Sequence, residues 1–178
     1  NGRIIETHHV APAGEHGDSG ANGKALADGF FEVNFKPRNA RYIRLVALSE
    51  INGQGWASIA ELEVVGHKGL NLSREKWRAI YVDSQETKSR YSTAPEGVFD
   101  DDPSTWWHTK WIGGITPYPH EIQIDLGSEQ RIQGLRYLPA VINNDNGMIR
   151  DYALYASNDP TKWCKPVAQV VLVSRIRI

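Results

Sequence analysis

Polar and apolar residues alternate one by one through Glu121-Ile122-Gln123-Ile124-Asp125-Leu126. A period of two predicts a strand with one buried and one wet face. Residues 42–48 and 59–65 carry the same signal, and residues 30–35, 133–138, 151–157 and 167–173 are also strand-like. Turn-forming clusters separate these runs: Asn52-Gly53-Gln54-Gly55, Gly113-Gly114, residues 143–147 and Asn158-Asp159-Pro160. Residues 73–80 alone predict a short helix, with Ser73 as its cap. The polar, Gly-rich stretch 11–23 predicts loop, and the tail 170–178 predicts a strand. Many short strands at regular spacing predict an all-β sandwich or barrel.

Composition narrows the function classes. The chain has 178 residues, which suits one large domain or two very small ones, and 40% hydrophobic residues, enough for a core. A formal net charge of −1 argues against a nucleic-acid partner, because phosphate binding needs a cationic surface. No apolar run approaches the roughly twenty residues that span a bilayer. The start, Asn1-Gly2-Arg3, predicts a mature product or an excised piece of a longer chain. Cys164 is the single cysteine, so neither an internal disulfide framework nor a cysteine-rich zinc site is expected. His8-His9 lacks further ligands and reads as a surface or loop feature. The six tryptophans are read mainly as packing, with Trp56 the best candidate for an exposed platform because glycine-containing turns flank it.

Two segments carry a family resemblance. The first is Asp100-Asp101-Asp102-Pro103-Ser104-Thr105-Trp106-Trp107-His108-Thr109-Lys110-Trp111, followed by residues 119–127 ending in Ile124-Asp125-Leu126-Gly127. The second is residues 41–49, then Asn52-Gly53, then Trp56-Ala57-Ser58-Ile59-Ala60-Glu61-Leu62. Tyr137-Leu138-Pro139 and residues 147–152 add support. Together these resemble the discoidin-like (coagulation factor V/VIII C-type) domains, and within them the family 32 carbohydrate-binding modules. The resemblance implies an all-β, galactose-binding-domain-like jelly-roll β-sandwich.

The two segments stand in the reverse of the family's order. Residues 1–66 resemble the C-terminal half of a module and residues 67–178 the N-terminal half. One expectation is a single composite sandwich over 1–178 with permuted halves, feasible because domain termini often lie close together. The alternative is fragments of two tandem modules. A monomer is expected, with a half-exchanged dimer as the variant arrangement.

The resemblance also implies a structural calcium ion, Ca2+, and a sugar face. Carried over residue by residue, the calcium side-chain ligands are Glu61, Asp100 and Thr105. Backbone carbonyls of Ala60, Gly97 and Asp102 complete an oxygen set that suits calcium. The ligand-binding residues are Trp56, His108, Trp111 and Asn146. An aromatic ring offers sugar C–H groups an apolar face while convergent polar groups read the hydroxyls. The family's arginine after Leu-Pro is replaced here by Ala140, leaving Arg150 or Lys110 as nearby cations.

The implied function is a non-catalytic module binding galactose-type or related glycan ends, secreted or at the cell surface, and attached to a glycoside hydrolase or surface protein. Glycosidase chemistry would need two opposed carboxylates. Glu61, Asp100, Asp102 and Asp125 are better read as calcium ligands or strand residues, and Cys164 has no nucleophile motif around it. The competing expectation is a discoidin-like adhesion module for protein or lipid, with Trp56, Trp111 and Ile112 as apolar spikes.

Overall fold

The computed structural model describes residues 5–8, 22–140 and 145–174. Among the described residues there are ten strands: β1 (Ile5–His8), β2 (Asn22–Ala25), β3 (Phe31–Glu50), β4 (Ser58–Ile59), β5 (Glu61–Gly66), β6 (Arg78–Val82), β7 (Trp107–His108), β8 (His120–Leu138), β9 (Ile149–Ser157) and β10 (Ala168–Ser174). The fold is all-β, in agreement with the alternation along the chain.

The architecture follows from β3 and β8, which pair antiparallel along most of their lengths. Phe31–Asn34 lie opposite Tyr137–Gly134, and Tyr42–Ala47 opposite Asp125–His120. Register shifts at Asn34/Arg38 and at Ala40/Tyr42 interrupt the ladder. Such irregularities bend a strand pair and increase its twist, so one pair can serve two layers. At one end β2 flanks β3 and β5 flanks β8. At the other end β9, β10 and β1 extend the sheet beyond β3, and β6 flanks β8. The two ends close face to face as a curled sandwich.

Inward positions fill the space between the layers. Ile43, Leu45 and Ala47 of β3 meet Ile122, Ile124 and Leu126 of β8, while Phe31, Val33, Leu62, Val64 and Leu135 line the other end. Residues from before and after position 67 share this one core. Trp107, Tyr137 and Tyr152 are its largest fully buried side chains. Tyr137 reconciles its hydroxyl with burial by donating to the Ser58 carbonyl at 3.1 Å and accepting from the Ile149 N–H at 3.0 Å.

Several expectations change. Residues 30–35 and 42–48 are one bent strand, as are 121–126 and 133–138. The breaks in alternation that suggested separate strands are the bulged bends. The helix expected over 73–80 is absent: Trp77 N–H donates to the Arg74 carbonyl in a turn, and Arg78–Val82 is the edge strand β6. Pairing with β8 outweighs the weak helical start. Asn22 and Gly23 belong to β2 rather than loop, and His8 belongs to β1. The rest of the stretch 11–21, His9, residues 141–144 and the tail end 175–178 lie outside the described residues. Among the described residues no helix is long and apolar enough to cross a membrane.

Replacing Tyr137 by phenylalanine strands a buried N–H and a buried carbonyl. Urea denaturation should register a loss of about 1–3 kcal/mol, whereas unchanged stability would mean that water replaces the hydroxyl.

Candidate functional site

Ser58 is the hub of one end of the sandwich. It pairs with His108 across the short β4–β7 ladder and bridges to Met148. Its N–H donates to the Gly147 carbonyl at 2.7 Å, and its hydroxyl donates to the Asn146 carbonyl at 3.3 Å. Ala57 and Thr109 lock the next rung, the Ala57 N–H donating to Thr109 Oγ1 at 2.9 Å and the Thr109 N–H to the Ala57 carbonyl at 3.0 Å. Three chain segments distant in sequence therefore bring Trp56, His108 and Asn146 to one rim. Gly147, at φ 80°, makes this approach possible, since a Cβ there would come within 2.6 Å of Ser58 Oγ.

His108 is buried, and its Nδ1 lies 2.6 Å from the Thr109 carbonyl. The geometry puts the ring proton on Nδ1 and leaves Nε2 to accept. Burial is the main influence on its titration and lowers it, against smaller upward effects from Thr109 and Glu86, so the ring is neutral near pH 7. Trp111 packs edge-on against His108 with centroids 4.3 Å apart. Trp56 is half-buried, its carbonyl accepts from Tyr118 Oη at 2.6 Å, and its buried Nε1 has no partner among the described residues.

Two buried carboxylates missed by sequence reasoning shape the loops. Glu86 accepts from the N–H groups of Trp111 (2.9 Å), Ile112 (2.6 Å) and Lys88 (2.7 Å). Burial alone would raise its titration, but those three donors together outweigh burial and hold it below the usual carboxylate range. Glu50 accepts from the N–H groups of Asn52, Gln54 and Gly147, tying the turn before Trp56 to the Asn146 loop. Neither glutamate sits in a recognisable motif, and the contacts to Trp111, Ile112 and Gly147 span too much sequence to be inferred from it.

The residues expected to supply oxygen ligands gather at a second place. A short 3-10 turn, Pro95–Val98, opens a loop in which Thr105 Oγ1 lies 3.4 Å from the Gly97 carbonyl, 2.8 Å from Asp100 Oδ2 and 3.0 Å from the Asp102 carbonyl. A Cβ on Gly97 would come within 3.1 Å of that hydroxyl. The Asp102 carboxylate turns away to Ser104. Glu61 and Ala60 are buried at the start of β5. Glu61 Oε2 pairs with Arg74, which also reaches Asp101, while Glu61 Oε1 is buried without a partner among the described residues. Burial pushes the Glu61 carboxyl up, with Asp100 adding to the effect and Arg74 opposing it. Among the described residues no group of three or more His, Cys, Asp or Glu side chains is clustered to hold a metal. The donor set is instead mixed: carboxylate, hydroxyl and carbonyl oxygens, all hard. An unsatisfied buried carboxylate oxygen fits a hard cation such as calcium.

Residues 80–174, more than half of the chain, match the family described as the F5/8 type C domain. The chain belongs to that discoidin-like family. It is 43% identical over 98 residues to a sialidase of Micromonospora viridifaciens, a match covering 54% of this chain and 15% of that protein. It is 36% identical over 101 residues to a galactose oxidase of Gibberella zeae, covering 56% of this chain and 14% of that protein. The chain thus spans about one seventh of the length of these relatives. The F5/8 type C unit is a non-catalytic domain, accessory in the enzymes that carry it.

Other candidates find structural roles. Asp125 is held by Arg41 through two 2.9 Å hydrogen bonds, and this contact depresses its titration most strongly. Arg150 is paired with Asp151, Ala140 is buried with no donor to offer, and Lys110 is exposed. Cys164 is exposed and unpaired. Of the apolar spikes, Trp56 and Trp111 are half-buried and Ile112 is 37% exposed; Ile115, not among those expected, is 50% exposed.

The depressed Glu86 carboxyl stabilises the Trp111 loop above the usual carboxylate range, and that support is lost as pH falls through the lower, folded-state value. Tryptophan emission should report loosening of the loop in that acid window, and Glu86→Gln should abolish the transition. An identical transition in Glu86→Gln would assign it to another group.

Proposed function

We propose that this chain is a non-catalytic carbohydrate-binding module that recognises galactose-type or related glycan ends outside the cell. The observation that carries this reading is the assembly of Trp56, His108, Trp111 and Asn146 around the β4–β7 ladder. Two aromatic rings, a neutral imidazole acceptor and an amide are the groups that bind sugar C–H faces and hydroxyls. The module attaches a parent glycoside hydrolase or surface protein to its target, a role supported by its likeness to small parts of two much larger enzymes. Galactose is the first sugar to test, since one of those relatives is named a galactose oxidase. With Ala140 in place of arginine, polar recognition rests on His108 Nε2 and Asn146, and modest affinity is expected. The adhesion reading draws on the exposed Ile112 and Ile115 beside Trp111.

We further propose that residues 1–66 and 67–178 are the exchanged halves of one monomeric module. The position of β3 between β8 and β9 supports this reading. A structural calcium ion joins the halves, held by Glu61 and the Ala60 carbonyl from one and by Asp100, Thr105, Gly97 and Asp102 from the other. The ion supplies a charge that compensates the unpaired Glu61 Oε1.

A glycan array followed by titration calorimetry tests the sugar reading. Trp56→Ala and His108→Ala should each weaken binding by about tenfold or more, the equivalent of one good hydrogen bond or stacking contact. An array without bound glycans, together with retained liposome or protein binding, would replace this reading with the adhesion one. For calcium, a hundredfold excess over Kd should add about 2.7 kcal/mol and raise Tm by several degrees. Chelator should reverse the gain and Glu61→Gln should remove most of it. An unchanged Tm with and without calcium would refute the site.

A further inference from the structure

His120 is fully buried at the start of β8, yet both of its ring nitrogens face acceptors. Nδ1 lies 2.8 Å from Asp83 Oδ2, and Nε2 lies 3.0 Å from the Gly55 carbonyl. A neutral imidazole has one N–H, so one of these contacts would set a lone pair against an acceptor in the interior. The opposite ring orientation would turn C–H groups toward both partners. Opposite an ionised Asp83, only the doubly protonated ring satisfies both contacts.

The acceptor on the Nε2 side belongs to the residue just before Trp56. On the other side of that peptide unit, Tyr118 Oη donates to the Trp56 carbonyl at 2.6 Å, and the Tyr118 ring packs against His120 with centroids 4.7 Å apart. The backbone under the Trp56 ring is therefore anchored at two successive carbonyls by two residues of the β8 entry. Asp83 is fixed in turn, its Oδ1 accepting the Glu121 N–H at 2.7 Å.

Resting on the reading of Trp56 as the sugar platform, we propose that His120 is a positioning residue: a buried imidazolium that clamps the Gly55 carbonyl to Asp83 and so presents Trp56 to the ligand. The groups facing it account for the charge. They are the Asp83 carboxylate after β6, the Gly55 carbonyl before β4, the Thr116 carbonyl and the Tyr118 ring on its own approach. Tyr118 stays a neutral phenol, its titration pushed far up by burial and further by Glu50 and Asp151. His108 feels the His120 charge and is neutral itself. Ala47 of β3, opposite His120 in the ladder, brings no charge. Burial pulls the His120 titration down, but Asp83 and the two carbonyls together outweigh it and leave the titration above the usual histidine value.

The sign follows. The clamp is complete below the ordinary histidine range and is lost as pH rises through the elevated value. The proton facing the Asp83 carboxylate is retained, so the Nε2 link to Gly55 is the one broken.

The test has two independent arms. Nitrogen-15 NMR of histidine-labelled protein should find both His120 nitrogens protonated at pH 7, with a titration above the usual range. Asp83→Asn should move that titration down by removing the carboxylate. A neutral single tautomer at pH 7 would overturn the proposal, whatever the protein binds. Calorimetric titration of galactose between pH 6 and 9 should weaken roughly tenfold through the same midpoint. The midpoint should shift downward in Asp83→Asn, a milder change than replacing His120 itself. Affinity constant across the NMR midpoint would remove the positioning role. If no glycan binds at any pH, Trp56 emission serves as the second readout: a change tracking the NMR midpoint supports the clamp, and its absence refutes it. The sugar reading then fails separately from the imidazolium.

Discussion

The antiparallel pairing of β3 with β8 is the constraint on which the rest depends. Strands β2, β5, β6 and β9 add directly to one of these two, and β10 and then β1 extend the sheet from β9. Charged pairs on the outer face mark their register: Arg41 with Asp125, Arg44 with Glu121 and Arg136 with Glu32. Each partly exposed pair contributes little stability alone. Their value lies in specificity, because a slip of one residue would turn Arg44 and Glu121 inward and Leu45 and Ile122 outward.

The same pairing builds the candidate sugar rim. Because β8 bends through the sandwich, residues near both of its ends reach the segment around Trp56. Tyr118 and His120 hold the carbonyls of Trp56 and Gly55, and Tyr137 holds that of Ser58. Four consecutive residues thus receive three side-chain hydrogen bonds from one strand and its approach. A loop fixed this way has little conformational freedom left to lose, the condition under which a small set of contacts is most effective.

Carboxylates do much of the local organisation. Glu50 and Glu86 accept from backbone N–H groups in turns or loops that have no ladder of their own, and Asp83 accepts from Glu121 at the start of β8. Buried backbone groups need partners, and a carboxylate can satisfy two or three at once. The acidic loop at residues 100–105 differs, because Thr105 gathers oxygen acceptors while Glu61 keeps one oxygen unpaired. That imbalance sets it apart from the loops closed by carboxylates alone.

The sequence by itself determined the strand class and carried the discoidin-like resemblance, from which Trp56, His108, Trp111 and Asn146 follow as candidates. Those properties are local: alternation with period two, turn residues at fixed places and short contiguous motifs. Tertiary structure decided that four predicted strands are two bent ones, and that residues 73–80 enter an edge strand instead of a helix. It also decided the roles of Arg74, Glu50, Glu86 and His120, whose partners lie from 2 to 97 residues away. His120 was visible within a motif, but its charge was not. A histidine's protonation is set by what faces each nitrogen, and Asp83 and Gly55 meet there only after β8 has paired with β3 and β6.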